Sequence, residues 1–370
     1  MEILKGKYSS AKVYASSIED YARTQIINIL ENPAAENSTV CLMPDCHPGK
    51  LAPIGLTMTV GKTILPSLVG IDAGCGVTAA FITRHKGLEF RQLDSIIRER
   101  IPAGYENRQK PHRFALDFDF DRLNCRKHIN LQRNQLCLGT LGGGNHFIEI
   151  DSDGSGNIFL TVHSGSRHLG KEMTDHYMNS ASRVLREQGI PYEWTFLEGQ
   201  AMQEYIQDLN VVQEFARLNR LAIIDDICKG MKWKYEIHTD CPHNFVETTG
   251  DRIMLRKGSI RAMKGENVII PINMKEGIIL GKGRGNPEWN FSAPHGSGRI
   301  MKREDVKKRF TVSAFKKSMK GIYSSCIGDG TLDEAPFAYR SLEEIKDAVA
   351  PSVEITSILK PLYSFKAGGE

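Results

Sequence analysis

No stretch of this 370-residue chain stays apolar for the roughly 18 residues that a membrane span needs. Its beginning, MEILKGKYSS, lacks the apolar segment and small-residue cleavage site of a secretory leader, so a cytoplasmic protein is expected. Cysteine pairs at CxxC spacing are missing too. The eight thiols stand apart at 41, 46, 75, 125, 137, 228, 241 and 326, which suits reduced cysteines better than a disulfide framework. Charge of one sign is also scarce. A formal +4 is far from a histone-like tail, so any contact with nucleic acid should be a local patch rather than a global field. Repeats, low-complexity tracts and evident linkers are absent, and one compact unit over residues 1–370 is expected.

What is present alternates helical and strand signals, pointing to an α+β fold. Ser16-x-x-Glu19 has capping-box spacing before Ile18, Ala22, Ile26 and Ile29, and Asn32-Pro33 stops that pattern. Val40 to Met43 reads as a short strand running into the polar turn PDCHPG, and LPSLVGID as a second apolar run ending on an acid. Met202 to Lys229 is apolar-periodic and helical, and Ser341-x-x-Glu344 opens another helix that ends before Pro351; neither carries an evident motif.

Backbone freedom concentrates in LGGGNHFIEI, Leu141 to Ile150, where three glycines precede an Asn-His pair. FIEI and IFLTVHS, separated by DSDGSGN, read as a β-hairpin, because Asp, Ser, Gly and Asn tolerate turn geometry. If Ile150 pairs with Ile158, His163 lies opposite Asn145, and the α-carbons of His146 and His163 come within roughly 5 to 8 Å. Simple pleating would turn the two rings to opposite faces. A shared metal therefore requires a departure from strand geometry at one end, which glycines permit.

VGIDAGCGV adds Asp72 and Cys75 from one loop, and CPHNF adds His243. Thiolate, carboxylate and imidazole together suit zinc or manganese. Taken singly, each histidine reads as a hydrogen-bonded core or surface residue and the thiol as a small hydrophobe; glycine- or proline-flanked donors in four places favour the metal. SAPHGSGR exposes His295, with Arg299 and Arg303 behind it able to pair with phosphate. A neutral imidazole there is a competent nucleophile towards phosphorus, or else an ordinary solvated histidine. Three other signals fail. GLTMTVGKT has five residues between Gly55 and Gly61 where a P-loop has four; GKGRG lacks strand-turn-helix context; Cys41, Cys46 and His47 lack a second ligand pair. A Lys-x-Asp-Gly segment of the kind adenylated in other ligases does not occur.

In order along the chain, MPDCHPGKLAPIG, VGIDAGCGV, LGTLGGGNHFIEI, VHSGSRHLG, HNF, RKGSIRA, IIPINM, SAPHGSGR and LKPLYSFKAGG resemble the motif set of the RtcB family of RNA-splicing ligases. The resemblance runs nearly end to end and extends to the shorter bacterial branch associated with a release-factor-H-like protein. It implies an RtcB-like fold, mixed β-sheets flanked by helices around a deep polar metal-binding cleft. It further implies use of GTP and two Mn²⁺ ions to join RNA ends bearing a 2′,3′-cyclic phosphate or 3′-phosphate to 5′-hydroxyl ends, through a guanylylated histidine and a GMP-activated 3′-phosphate. Carried over motif by motif, His295 is the nucleophile. Cys75 bridges two ions, one with Asp72 and His146, the other with His163 and His243.

By the same resemblance Asn145 lies beside the GTP phosphates, Phe147 and Glu149 in the guanine pocket, and Lys366 on the guanine edge. Lys257, Arg167, Arg299 and Arg303 hold phosphates of GTP or RNA, with Asp45 and His47 near the 3′-end chemistry. Asn273 stands in the nucleotide pocket where a serine is usual, Ile278 where another nucleotide-contacting serine is usual, and Lys366 is followed by Ala-Gly-Gly-Glu instead of a single glycine. The implied partners are RNA, a release-factor-H-like protein and an archease-like activator, without a membrane. Two other functions fit the residues: a metal-dependent RNA end-processing phosphodiesterase, and a non-catalytic RNA- or ribosome-binding protein.

Overall fold

Two β-sheets meet at His243. In a computed structural model, which describes residues 1–368, strand Lys234–Pro242 lies in one sheet and strand Asn244–Thr249 in the other, and His243 is the single residue between them. The first sheet has seven antiparallel strands in the order Lys234–Pro242, Gly76–Arg84, Ile158–Ser164, Phe147–Ser152, Val353–Phe365, Gly277–Gly283 and Asn267–Asn273. The second is mixed and six-stranded, in the order Glu2–Lys5, Ser10–Val13, Thr39–His47, Ile54–Val60, Arg252–Lys257 and Asn244–Thr249, with its one parallel pairing between Ser10–Val13 and Thr39–His47.

Alternation along the strands divides the seven-stranded sheet. Ile148, Ile150, Leu160 and Val162 face helices Phe90–Arg100 and Gly199–Met231, packing on Leu93, Ile97, Ile223 and Ile227. Their neighbours Phe147, Glu149 and His163 face the other way and are also buried. A polar wall is thereby built on a hydrophobic floor. Helix Gly199–Met231 is apolar at Met202, Tyr205, Leu209, Val212 and Phe215, the helical period, and ends at Lys232, whose left-handed backbone (φ 57°) caps it. Among the described residues no helix is long and apolar enough to cross a membrane.

Several sequence expectations change in the folded chain. The first helix is Asp20–Leu30 and its N-cap is Glu19, so Ser16 does not cap it. Strand Thr39–His47 continues through PDCH rather than stopping at Met43. LPSLVGID is not a strand: Pro66, fitted to a first helical turn, opens helix Pro66–Val69, and a 3-10 turn Gly70–Asp72 follows. The hairpin forms as expected but slipped by two residues, pairing Ile150 with Leu160 and His163 with Phe147. An even slip leaves every side chain on its face and changes only its neighbour. The capping box of Ser341 and Glu344 is present and starts helix Leu342–Val349.

Candidate active site

Cys75 sits at the turn between the 3-10 segment and strand Gly76–Arg84, 4% exposed, with its carbonyl accepting the backbone N–H of His243 at 2.8 Å. Gly74 allows that turn to lie on the long helix: its backbone is left-handed (φ 73°), and a Cβ there would stand 2.7 Å from Cβ of Ala216. His146 precedes the first hairpin strand, so the departure from pleating occurs at its end. Gly142 (φ 85°) makes room, since a Cβ on it would stand 2.7 Å from Nδ1 of His146 and would collide with the Arg167 guanidinium. Sγ of Cys75 then lies 3.4 Å from Nε2 of His146 and 3.3 Å from Nε2 of His163, and Nε2 of His243 lies 3.3 Å from that of His163.

The protonation pattern of this cluster suits a cation. Nδ1 of His146 donates to the Leu141 carbonyl at 2.7 Å and Nδ1 of His163 to the Asn145 carbonyl at 3.1 Å. A carbonyl only accepts, so both Nδ1 atoms carry the proton and both Nε2 atoms present lone pairs towards Cys75. Burial keeps the imidazoles neutral: it lowers His146 to about 4, helped by Arg167, and holds His163 and His243 well below their usual value. Burial, then Asp72, pushes the Cys75 thiol up to about 12. A thiolate there needs a positive charge beside it, and converging lone pairs need the same. Cys75, His146 and His163 form the tight donor group, which His243 joins through His163. Asp72 is exposed at the rim of the same cleft, its carbonyl accepting the Cys75 N–H at 2.9 Å.

His295 follows the short strand Ser292–Pro294, with its ring 4.8 Å from that of His243. Its Nδ1 donates to Oδ2 of the fully buried Asp45 at 2.7 Å. Nε2 is the ring nitrogen not engaged by Asp45. The Asp45 carbonyl meanwhile accepts Nδ1 of His47 at 2.8 Å, and burial lowers His47 to about 4. One residue of strand Thr39–His47 therefore orients both imidazoles.

The cleft has two lobes that share His47, Asn145, His243, His295 and Arg303. The inner lobe, ≈ 140 Å³, is lined by Phe147, Glu149, Asn273 and Lys366. Burial raises Glu149 to about 7 although Ser364 donates to it at 2.8 Å. Asn273 accepts the N–H groups of Lys275 and Glu276, shaping the turn that ends in Gly277. Ile278 is buried in the hydrophobic core and does not line the inner lobe. The outer lobe, ≈ 650 Å³, adds Asp72, Cys75, His146, Arg167, Lys257, Lys307 and Asp333. Lys257 donates to the Val69 carbonyl at 3.0 Å. Arg167 starts its helix with a left-handed backbone (φ 54°) and donates to the Gly104 carbonyl at 2.8 Å.

Residues without a sequence signal hold this arrangement together. Glu334, 2% exposed, receives Lys366 at 2.7 Å, the Tyr339 hydroxyl at 2.5 Å, Arg299 at 3.4 Å and, most closely, Arg303. Burial alone would raise its pKa, but Lys366, Arg303 and Arg299 hold it down to about 2. Asp333 takes Arg303 at 2.6 Å. Of the terminal Lys-Ala-Gly-Gly-Glu, Gly369 and Glu370 lie outside the described residues. The long helix, which showed no motif, places Asn219 and Arg220 under the metal loops. Asn219 binds Gly139, Thr140, Ser164 and Gly165, and Arg220 binds the Gly74 and Ser164 carbonyls and Asp240. Only their place on the buried stripe of the helix could have flagged them, Asn219 standing four residues after Phe215 and four before Ile223.

The family described as tRNA-splicing ligase RtcB matches residues 25–124 and 117–367. The RNA-splicing ligase RtcB of Escherichia coli strain K12 is 28% identical over 410 aligned residues, covering 99% of both chains. The RNA-splicing ligase RtcB2 of another Escherichia coli strain is 29% identical over 357 residues, 88% of this chain and 87% of that one. The tRNA-splicing ligase RtcB of Aeropyrum pernix is 25% identical over 402 residues, 82% of each. A profile match that spans most of the sequence, on a chain whose motif residues gather in one cleft, shows that this protein belongs to the RtcB family.

Proposed function

We propose that this chain is a GTP- and Mn²⁺-dependent RNA ligase that joins 2′,3′-cyclic phosphate or 3′-phosphate ends to 5′-hydroxyl ends, with GMP carried first on His295 and then on the RNA 3′-phosphate. The observation that carries the reading is one imidazole, His295, clamped by buried Asp45 beside a Cys75–His146–His163–His243 donor cluster, where the two lobes of a cleft meet.

In this reading the inner lobe takes the base: Phe147 offers its ring, and Glu149 and Lys366 offer an acceptor and a donor. The triphosphate extends past Asn145 towards Lys257, Arg167 and Arg299. Asp45 holds the proton on Nδ1 of His295, so Nε2 attacks the α-phosphorus while the bond to pyrophosphate breaks. The RNA 3′-phosphate, positioned by Arg303, displaces His295 and takes the GMP; the 5′-hydroxyl then displaces GMP. His47 stands at the 3′ end as a neutral imidazole able to take a proton when a cyclic phosphate is opened. Asp72, Cys75, His146, His163 and His243 would hold two Mn²⁺ ions, which when bound offset the phosphate charge and keep Cys75 ionised. A single unit over 1–370, a reducing cytoplasmic setting for eight free thiols, and the archease-like and release-factor-H-like partners go with this reading.

Radiolabelled GTP with MnCl₂ tests it. The expected product is an acid-labile, alkali-stable protein adduct that His295→Ala does not form. One observation favours a second reading, RNA end-processing without ligation: Arg299, Arg303 and Lys366 are all engaged by Asp333 or Glu334, while the donor cluster is open to the cleft. Cyclic-phosphate opening without GTP, and no adduct at confirmed Mn²⁺ binding, would select it.

A further inference from the structure

Residues 302–320 hold eight lysines and arginines against two acids, Glu304 and Asp305, a net of +6 in a chain whose formal total is +4. The remainder of the protein is therefore slightly acidic. This is the local patch that the modest total charge required of any nucleic-acid contact. The segment folds as helices Arg303–Arg309 and Val312–Ser318. Val306, Phe315 and Met319 point inward, the last two packing with Met274, Leu332 and Ala335, and Phe310 stacks on Phe337 at 3.9 Å. With the apolar residues committed to the interior, the cations are left outside.

Little on the protein answers them. Lys307 reaches Asp333 at 3.9 Å and Lys308 reaches Asp305 at 3.7 Å. Among the described residues Lys302, Arg309, Lys316, Lys317 and Lys320 are exposed and form no ion pair. Crowded like charges repel, and an anion laid along them relieves that repulsion. The segment also reaches the site: Arg303 and Lys307 line the outer lobe, and both helices pack on the turn Asp329–Glu334, whose Asp333 lines that lobe as well.

We propose that helices Arg303–Arg309 and Val312–Ser318 form the track on which the phosphate backbone of single-stranded RNA lies as it leaves the outer lobe, held by charge and without regard to sequence. The proposal rests on the RNA-ligase reading and adds where the strand runs. Lysines contacting phosphates position a strand and read no bases.

The test is fluorescence anisotropy on the full chain with a long single-stranded RNA ending in a 3′-phosphate and, separately, a dinucleotide with the same end. Lys316→Glu, Lys317→Glu and Lys320→Glu are combined in one variant. Lys62→Glu, Lys86→Glu and Lys234→Glu form a control with the same change in net charge; the last two flank strand ends remote from Cys75, and all three residues are exposed. The track variant is expected to bind the long RNA at least about tenfold more weakly at ~0.1 M salt, with the slope of log affinity against log salt smaller by about 2, since each phosphate contact on a single strand contributes about 0.7. Dinucleotide binding should match the unmodified protein, and the control should bind long RNA within about twofold. Equal long-RNA affinity in the track variant, or an equal loss in the control, overturns the track and leaves the ligase reading standing. Failure of the unmodified protein to bind long RNA overturns both.

Discussion

Nδ1 of His295 donates to Oδ2 of Asp45 at 2.7 Å, and the same carboxylate oxygen takes the backbone N–H of His295 at 3.2 Å. One buried acid therefore fixes both the ring and the main chain of the proposed nucleophile. Asp45→Asn keeps the size but removes the carboxylate that, in the proposed reaction, would stabilise a guanylylated imidazole. Labelling by GTP is expected to slow by about a hundredfold or more, by analogy with other histidine–aspartate pairs, while Mn²⁺ affinity is unchanged. Unaltered labelling kinetics would remove Asp45 from the chemistry.

Cys75→Ala takes the sulfur from between His146 and His163. A cation that binds only the folded chain raises its stability by about 2.7 kcal/mol at a hundred times its dissociation constant. Added MnCl₂ should raise the melting temperature of the unmodified protein and leave that of the variant unmoved, with titration calorimetry reporting the lost binding. Equal Mn²⁺ affinity in both proteins would show that this cluster is not the cation site.

Asn219→Leu keeps the branching and heavy-atom count of the side chain but strands the Gly139 and Thr140 N–H groups and the Gly165 carbonyl that Asn219 satisfies. Buried groups left without partners make a loss of about 2 to 4 kcal/mol in urea unfolding the expected outcome. Because those groups belong to the loops flanking His146 and His163, Mn²⁺ affinity should fall as well. Asn219 touches no donor atom of the cluster, so a change in stability alone would confine its role to packing.

Glu334 carries a pH signature. Its folded pKa is about 2 against an ordinary 4.5, so between those values the native chain binds fewer protons than the unfolded one. Its contribution, about 3 kcal/mol by linkage, is fully present above pH ~4.5 and is lost as pH falls towards 2. Glu334→Gln is expected to be less stable than the unmodified protein by about that amount at neutral pH, with the gap closing in acid. Urea unfolding at pH 7 and near pH 3 measures both arms; a gap independent of pH would detach Glu334 from the stability of its three cations.

The candidate donors were legible in the chain only as a set: glycine and proline mark the places where a backbone must turn tightly, and four such places carry a cysteine, aspartate or histidine, although each taken singly also fits a structural role. The hairpin and the helix begun by Ser341 were legible for a similar local reason, turn chemistry and a capping box. Its register was not, since DSDGSGN permits more than one turn and an even slip keeps the same faces buried. Nor were Asp333 and Glu334, whose role depends on Arg299, Arg303 and Lys366 arriving from other segments.

By itself, then, the sequence determined which residue types stand ready for the chemistry, where the chain turns, and the resemblance that names the family. Only the tertiary structure decided that His146 leaves the strand so that its Nε2 meets that of His163 at Cys75, that Asp45 rather than a neighbour aligns His295, and that two polar residues of the long helix hold the metal loops. The reason is physical. Turn preference and periodicity are local to a few residues, whereas a hydrogen bond between Asp45 and His295 joins segments 250 residues apart, and its partners become neighbours only when the hydrophobic faces of both sheets have been buried.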